Sequence, residues 1–255
     1  MLKKMKVIGL IPSRLKSSRL KHKPLLKLGS IPMVIHTYLR AKLSKQLDDV
    51  IICCDDKKIK EICEKYNAKY MMTAKNHFNG TERIAEAYLK LKKKYDLIVD
   101  IQGDEPLIDP KNIDKVVKFH KRNFTSDIIL PTLISTKKSS KNIVKVLINN
   151  KKEVMYLSRY NLPFNFKKKN EFFLKHLSII SFKPEKLINF YNSKPTFAEK
   201  IEGVELLRAL ELGMKIKTTT LQGDSFSVDI KEQYTKAKKY ILKDKYYLKY
   251  KNINV

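Results

Sequence analysis

The sequence has little of several features that would assign it to a common class of protein. Its three cysteines, Cys53, Cys54 and Cys63, form no Cys-x-x-Cys pair, and adjacent cysteines are poorly placed for a disulfide. No apolar run approaches the roughly 18 residues of a membrane span, because the first run, in MLKKMKVIGLIPSR, is cut off by Pro12 and Arg14. We therefore expect a cytoplasmic protein with no membrane insertion.

The common nucleotide-binding and metal motifs are also missing. The chain has no Walker A lysine motif and no G-x-G-x-x-G, which argues against a P-loop NTPase and a dinucleotide-dependent oxidoreductase. Its histidines and cysteines lie too far apart along the chain to indicate a zinc site. A nucleotide-using enzyme, if this is one, must hold phosphate in another way.

Acidic residues are scarce: 26 Asp and Glu face 54 Lys and Arg, a net charge of +28. Such a balance suggests a polyanionic partner, and a basic nucleic-acid-binding protein is the rival interpretation from another class. However, the lysines are scattered over nearly every segment, and no reader motif with interleaved aromatic residues is present. We interpret the charge as a solvated lysine-rich surface and expect no nucleic-acid partner.

What is present is the pattern of an α/β protein. The hydrophobic share of 43%, with 13 Tyr and 11 Phe, is typical of a globular chain. Strands and helices alternate through the first 125 residues or so, which predicts a doubly wound, mostly parallel, Rossmann-like sheet. The predicted strands of this part are 7–11, 50–54, 68–72 and 97–101, and its helices begin at 32, 58, 81 and just after 110.

The second half predicts a strand-rich insertion in that sheet. Strands are expected near 127–134, 143–148, 153–158 and 172–182, with no helices between them. A helix at 202–212, a strand at 215–221 and a closing helix at 231–242 follow, before a frayed Lys/Tyr-rich tail. We expect a single domain over 1–255, in which 127–182 forms a substrate pocket and a contact between two copies.

Arginine is the most informative residue type, because a lysine-rich chain keeps it where a planar, bidentate cation is needed. Only seven arginines are present, and five of them fall in four short segments. The first segment, RLKSSRLKHKPL, follows the first strand directly and carries Arg14, Ser17, Arg19 and Lys23. Ligands of open α/β sheets bind at the carboxyl ends of strands, so this loop is suited to a triphosphate. By spacing alone, a solvated basic loop is an equally good interpretation.

Two further segments carry groups suited to a metal-bound nucleotide. Asp104, in QGDEP, follows the strand LIVDI, where a carboxylate is placed to hold Mg²⁺ beside phosphate oxygens. The alternative is an ordinary Gly-Asp turn. Gly80 and Thr81 open a helix whose first amides would face the nucleotide, although a plain helix cap would read the same.

The motifs IPSRLKSSRLKHKPL, NGTER, QGDEP, YLSR, KHL, ELLRAL and SVD, in this order, resemble the 3-deoxy-manno-octulosonate (Kdo) cytidylyltransferase family over nearly the whole chain. The resemblance implies an enzyme that joins CTP to a sugar acid, releases pyrophosphate, uses Mg²⁺, serves lipopolysaccharide synthesis and forms a homodimer.

The resemblance also implies roles for individual residues. Arg14, Lys23 and Asp104 would be catalytic, and Asp104 with Asp229 would bind Mg²⁺. The nucleotide would contact Arg14, Ser17, Arg19, Lys23, Gly80 and Thr81. The sugar acid would contact Gln102, Arg159, His176 and Glu205, with Arg159 facing its carboxylate.

Departures from the family pattern cluster on the presumed sugar side. Ile180 stands where the family usually has a tyrosine, and Leu206 stands where it has a glutamine. In the first loop, Lys21-His22 replaces Pro-Gly. Because pocket hydroxyl and amide partners discriminate strongly between ligands, a sugar acid other than Kdo is the alternative substrate. A neutral acceptor is a weaker alternative, because it would give Arg159 no carboxylate.

Overall fold

The fold is a layered α/β arrangement around one mixed sheet. The computed structural model describes residues 4–17, 19–136, 140–164, 166–167, 172–223 and 227–252. The strands within these ranges are β1 (Val7–Ser13), β2 (Lys27–Leu28), β3 (Ile31–Pro32), β4 (Asp49–Cys54), β5 (Tyr70–Met72), β6 (Leu97–Ile101), β7 (Ile128–Ser135), β8 (Lys145–Ile148), β9 (Val154–Ser158), β10 (Phe173–His176), β11 (Ile179–Phe182) and β12 (Ile216–Thr220).

Nine α-helices are found in the described ranges, and none of them is long and apolar enough to cross a bilayer. A short 3₁₀ turn, Lys23–Leu25, ends the basic loop. The helices are α1 (Met33–Lys42), α2 (Lys57–Lys65), α3 (Gly80–Leu89), α4 (Pro110–Arg122), α5 (Pro184–Asn192), α6 (Phe197–Glu202), α7 (Leu206–Glu211), α8 (Lys231–Ile241) and α9 (Tyr247–Tyr250).

The sheet runs in the order β5-β4-β1-β6-β11-β7-β10-β8-β9, with β12 parallel to β7. The strands β5, β4, β1 and β6 pair in parallel, so their carboxyl ends meet at one edge. Buried side chains form two cores, one on each face of the sheet: α1, α4 and α8 contribute to one, and α3, α5 and α7 to the other. The predicted α/β class is confirmed, and the edge formed by β1, β4 and β6 carries the basic loop.

The strand-rich region differs in detail from its prediction. The expected strand 172–182 is two strands, since β10 and β11 are separated at residues 177–178 and β11 pairs antiparallel with β6 as well as with β7. The break lies opposite Pro131 of β7, which has no amide hydrogen to donate to a ladder. The region is thus continuous with the parallel half of the sheet. Its role as part of a single domain stays a prediction.

The helix expected at 202–212 is shorter than predicted: it is α7, which begins at Leu206, and residue 202 is the last residue of α6. Gly203 lies between them with φ of 61°, a left-handed conformation that ends α6. The sequence reading missed α5 and most of α6 altogether. Strand β1 runs two residues beyond its expected end, because it pairs with β4 as far as Ser13. Pro12 is tolerated within it, since the pairing with β6 ends at Leu10 and requires no amide from Pro12.

The prediction of a frayed tail is wrong for the described residues, because the tyrosines of the tail pack on α1. Tyr246, Tyr247 and Tyr250 are each less than 10% exposed. The Tyr250 hydroxyl and His36 Nδ1 are 3.0 Å apart, and His36 Nε2 lies 2.8 Å from the Leu28 carbonyl. Because a carbonyl can only accept, Nε2 donates to it and Nδ1 accepts from the tyrosine. The tail is held by a neutral histidine.

A second neutral histidine, His120, lies in the same core layer. Its Nε2 donates to the Ser126 carbonyl at 3.2 Å, and its Nδ1 accepts from the Ser181 hydroxyl at 2.7 Å. His36 and His120 are completely buried, and burial lowers the pKa of each to about 4. Both imidazoles therefore stay uncharged in the folded protein well below neutral pH.

The two buried histidines make stability acid-sensitive. Below pH 6.5 the unfolded chain binds protons at these sites, whereas the folded chain does not until about pH 4, so stability is lost as pH falls through that window. We expect about 2 kcal/mol of lost stability per histidine between pH 7 and 5. Urea denaturation at several pH values measures this loss. His36→Gln should reduce the slope of the free energy of unfolding against pH. His22→Gln, at an exposed position, is the control and should leave this slope unchanged. An unaltered slope in His36→Gln would contradict the assignment.

Candidate active site

The candidate site lies at the carboxyl edge of β1 and β6, where the basic loop meets the QGDEP segment. The amide of Leu15 donates to Asp55 at 3.1 Å and so anchors the loop to the residue that follows β4. The loop then projects its cations over a pocket. All four nucleotide residues predicted in this loop line the pocket, namely Arg14, Ser17, Arg19 and Lys23.

The loop turns into its final helical turn at His22, which has φ of 51° and ψ of 34°. This left-handed conformation favours glycine, and histidine adopts it at a modest cost in conformational energy. The position at which the family pattern has glycine thus has a backbone conformation that favours glycine. Lys23, the first residue of the 3₁₀ turn, is thereby aimed at the pocket.

Asp104 and Asp229 are brought together by the backbone, although 125 residues separate them. The amide of Val228 donates to the Asp104 carbonyl at 2.9 Å, which sets the following residue beside the QGDEP turn. The Lys23 ammonium lies between the two side chains, 2.7 Å from Asp104 Oδ2 and 3.0 Å from Asp229 Oδ1. Arg19 Nη2 also reaches Asp229 Oδ1, at 3.1 Å. The predicted acids and cations form one charged cluster.

The charges in this cluster stabilise one another. Burial opposes the charge on Lys23, but the carboxylates of Asp104 and Asp229 outweigh that effect and raise its pKa above the ordinary value. Burial likewise acts to raise the pKa of Asp229, and the positive charges of Lys23 and Arg19 outweigh it, so the pKa is lowered. Lys23 and Asp229 are therefore an ion pair at neutral pH.

The wall opposite the basic loop is the start of α3. Asn79 caps the helix by accepting from the Glu82 amide at 2.9 Å. A side chain on Gly80 would lie 3.1 Å from Gln102 Nε2 and 3.2 Å from Pro12, so glycine permits the wall to approach the sheet edge. Gly80 lines the pocket, as predicted. Thr81 is completely buried behind it, and its amide donates to Glu205 at 3.3 Å.

The close approach continues at Gly103, within QGDEP. A side chain there would come within 2.8 Å of the Pro12 carbonyl, closer than real contacts allow. The β1 and β6 ends are therefore pressed together at this residue, and the position of Asp104 depends on it.

A second pocket adjoins the first and shares Arg14, Arg19, Gln102, Asp104 and Asp229 with it. It contains all four predicted sugar residues, Gln102, Arg159, His176 and Glu205. Ile180 and Leu206 line it as well, and they give it an apolar floor. The two departures on the presumed sugar side thus fall within this second pocket, whereas Lys21 and His22 are not among its lining residues.

Arg159 is fixed at the rim of the second pocket by backbone carbonyls. Its Nε, Nη1 and Nη2 donate to the carbonyls of Glu202, Lys141 and Gly203 at 3.0 to 3.1 Å. A guanidinium has five N–H donors, so two are left for a ligand. Beneath it, the buried ammonium of Lys145 donates to the Arg159 carbonyl at 2.6 Å.

His176 and Glu205 are both held in a low-polarity setting. Burial, aided by the charges of Lys175 and Arg159, lowers the pKa of His176 to about 4, so its ring is neutral. Burial also raises the pKa of Glu205, against the opposing effect of the Thr81 amide. His176 Nε2 is buried and has no hydrogen-bond partner among the residues that the structure describes.

Two buried residues that support these walls were missed by sequence reasoning. Asp100 is completely buried in β6 and accepts from Gln102 Nε2 at 2.8 Å, which orients the Gln102 side chain. Burial, with the negative charge of Glu205, raises the pKa of Asp100 well above its ordinary value. The signal was in the sequence, since an acid inside the apolar strand LIVDI requires a reason.

Glu199 is the second missed residue, and it is part of an ion-pair network centred on Arg208. The completely buried guanidinium of Arg208 contacts Glu199 at 2.6 and 2.7 Å and Glu82 at 2.9 Å. Glu199 in turn accepts from Asn79 Nδ2 at 3.3 Å. The start of α3, which forms the wall of the first pocket, is thus tied to α6 and α7, which line the second.

Comparison with known proteins identifies the family of the chain. The model of the family described as "Cytidylyltransferase" matches residues 8–216. The chain belongs to the cytidylyltransferase family. It is 37% identical over 249 residues to a 3-deoxy-manno-octulosonate cytidylyltransferase of Thermodesulfovibrio yellowstonii, covering 92% of this chain and 98% of that one. The resemblance seen in the motifs is therefore confirmed.

Other similar cytidylyltransferases are named for two different sugar acids. A mitochondrial 3-deoxy-manno-octulosonate cytidylyltransferase of Arabidopsis thaliana is 37% identical over 91% of this chain and 81% of its own length. An 8-amino-3,8-dideoxy-manno-octulosonate cytidylyltransferase of Shewanella frigidimarina is 35% identical over 91% of this chain and 97% of its own. A solved CMP:2-keto-3-deoxy-manno-octonic acid synthetase complexed with CTP superposes with a TM-score of 0.88, at 27% identity, over 93% of this chain and 99% of that one.

Proposed function

We propose that this cytidylyltransferase transfers the cytidylyl group of CTP to Kdo, giving CMP-Kdo and pyrophosphate for lipopolysaccharide synthesis. The observation that carries the proposal is the pair of adjoining pockets, which meet at Asp104 and Asp229. One pocket has the cations that a triphosphate requires, and the other has an arginine with donors to spare for a sugar carboxylate. Names of relatives at 35 to 37% identity support the same reaction.

The reaction places specific demands on the residues of the site. The anomeric hydroxyl oxygen of the sugar acid gives up its proton, to water or to a nearby carboxylate such as Asp104, and forms a bond to the α-phosphorus. The bond from that phosphorus to the pyrophosphate oxygen breaks. Arg14, Arg19 and Lys23 neutralise the triphosphate and the charge that builds on the leaving pyrophosphate. Arg159 and Gln102 orient the sugar so that its hydroxyl lies near the phosphorus. The chain needs no nucleophilic side chain of its own.

The pair of carboxylates is chemically suited to Mg²⁺. Both Asp104 and Asp229 present an oxygen to one position, that of the Lys23 ammonium, and Mg²⁺ takes carboxylate oxygens together with those of phosphates. No larger group of His, Cys, Asp and Glu suited to a metal is found in the described part of the chain. When bound, Mg²⁺ would polarise the phosphate and offset its negative charge. Asp104 and Asp229 would hold it there.

The second pocket favours one alternative, a related sugar acid in place of Kdo. Ile180 and Leu206 give it an apolar floor that offers no side-chain hydrogen bond to a sugar hydroxyl. The relatives include an enzyme named for the 8-amino analogue, at nearly the same identity. Both candidate sugar acids undergo the same cytidylyl transfer, and they differ at position 8 of the sugar.

A substrate panel tests the proposal directly. Pyrophosphate release from CTP and Mg²⁺ is measured with Kdo, the 8-amino analogue and a sialic-acid-type sugar offered separately. We expect turnover with Kdo, and about a hundredfold loss of kcat/KM in Arg159→Met, because the carboxylate loses its bidentate partner. The exposed Arg122→Met is the matched control and should keep wild-type activity. Turnover of the 8-amino sugar alone would show that this sugar, and not Kdo, is the substrate. The absence of pyrophosphate release with every sugar would overturn the proposed function.

We also propose that the enzyme works as a homodimer joined through the region 127–182. The edge strand β9 and its neighbours expose an unusual number of large apolar side chains, and such surfaces mark contacts. These side chains are Ile134, Met155, Tyr156, Tyr160, Phe164, Phe166 and Phe172.

Sedimentation equilibrium tests the dimer. We expect the wild type to sediment as a dimer and the double variant Ile134→Glu, Met155→Glu as a monomer, because charge at a buried apolar contact is strongly unfavourable. Leu242→Glu is the matched control, because Leu242 is 62% exposed and lies outside this region, and this variant should remain dimeric. A monomeric wild type at tens of micromolar would contradict the proposal.

A reducing, cytoplasmic location is proposed on the state of the cysteines. Cys53, Cys54 and Cys63 are free and buried, and burial raises the pKa of the Cys63 thiol to about 12. Inert, reduced thiols in the core are typical of a reducing compartment.

We propose CTP and the sugar acid, together with the metal, as the ligands of the two pockets. Arg14 and Arg19 converge on a pocket of small-molecule size, which favours these ligands over a nucleic-acid partner.

A further inference from the structure

The Lys23 ammonium lies where the two proposed metal ligands converge. Its Nζ is 2.7 Å from Asp104 Oδ2 and 3.0 Å from Asp229 Oδ1, so one cation already bridges both carboxylates. The three side chains are only 17 to 24% exposed, which shields their interaction from water. A divalent ion and this ammonium compete for the same oxygens.

Lys23 can leave this position without disturbing the fold. Its charge is carried on a flexible four-carbon stem, and the side chain lines the pocket beside Arg14 and Arg19. Its backbone is fixed separately, by the 3₁₀ turn that it begins and by the left-handed His22 before it. A triphosphate in the pocket offers oxygens to the same ammonium.

We propose that Lys23 is an internal cation that occupies the metal position in the free enzyme and is drawn to the triphosphate when nucleotide binds. The proposal rests on the proposed function, since that function supplies the metal and the triphosphate. The ammonium keeps the two carboxylates together before the substrate arrives. Once it moves, the carboxylates are free to hold Mg²⁺.

The consequence is that metal and nucleotide bind cooperatively. The free enzyme binds a divalent ion weakly, because the ion must first displace an ion-paired ammonium. Bound triphosphate removes that competitor, and by linkage the metal raises the affinity for nucleotide by the same factor. An enzyme built in this way holds little metal until its substrate is present.

Titration of the nucleotide-free enzyme with Mn²⁺, followed by electron paramagnetic resonance of the unbound ion, tests the proposal. We expect Lys23→Met to bind Mn²⁺ roughly tenfold more tightly than the wild type, because the two close carboxylates lose the cation that bridges them, while Arg19 still contacts Asp229 alone. Lys23→Arg keeps a cation and should stay weak. Lys16→Met removes the same charge from an exposed position in the same loop and should also stay weak.

Two further measurements make the result decisive. Adding Asp104→Asn to Lys23→Met should abolish the gain, which assigns it to this pair of carboxylates. Thermal melting verifies that each variant folds, and Lys23→Gln replaces Lys23→Met if the latter does not. A folded variant without the cation that binds Mn²⁺ no more tightly than the wild type overturns the proposal.

The failure of this proposal is distinguishable from failure of the proposed function. Wild-type pyrophosphate release from CTP with a sugar acid tests the function and does not depend on the free enzyme's metal affinity. Turnover without a gain of Mn²⁺ affinity in Lys23→Met would reject the internal cation and keep the function. A gain without turnover would keep the internal cation and reject the function.

Discussion

Three segments far apart in the chain are held together by one ammonium group. Lys23 belongs to the loop after β1, Asp104 to the turn after β6, and Asp229 to the segment before α8, and the Lys23 Nζ contacts both acids within 3.0 Å. The Val228 amide reinforces this by donating to the Asp104 carbonyl. While the ammonium lies there, it offsets the repulsion between the two carboxylates. The backbone of the basic loop is held separately, by the Leu15 amide on Asp55.

The walls of the site likewise depend on one charged group that contacts several segments, and here the group is buried. Arg208 is inaccessible to solvent, yet it pairs with Glu82 at the start of α3 and with Glu199 of α6. Breaking a buried pair leaves an uncompensated charge, so such a network fixes its members in place. The walls of the two pockets therefore have one common support, and we expect a displacement of one wall to displace the other.

Much of the fold was predictable from sequence, because its signals are local. The alternation of apolar strands such as VIICC with amphipathic helices such as α4 identified the doubly wound half of the sheet. The split between β10 and β11 was not predictable in this way. It depends on Pro131 of a different strand, and pairing partners are not written into the strand itself. The tail was misread because its lysines suggested solvent, whereas its tyrosines pack on α1 through His36.

The site was predictable to the extent that its residues lie in distinctive motifs. Every residue assigned from them lines one of the two pockets except Thr81, which lies behind Gly80. Their individual roles stay predictions. The supports Asp100 and Glu199 were missed because their significance comes from burial and from distant partners, Gln102 for one and Arg208 for the other. A lysine between two acids, similarly, is visible only once the chain is folded.

The central claim is that Asp104 and Asp229 act as one unit on a single cation during cytidylyl transfer. A double-mutant cycle of Asp104→Asn and Asp229→Asn, with kcat of pyrophosphate release as the readout, tests it most directly. We expect each single variant to lose about two orders of magnitude in kcat and the double variant to lose little more. The reason is that the loss of either carboxylate already prevents the cation from being held between the two. Losses that multiply in the double variant would show that the two carboxylates act independently and would contradict the account.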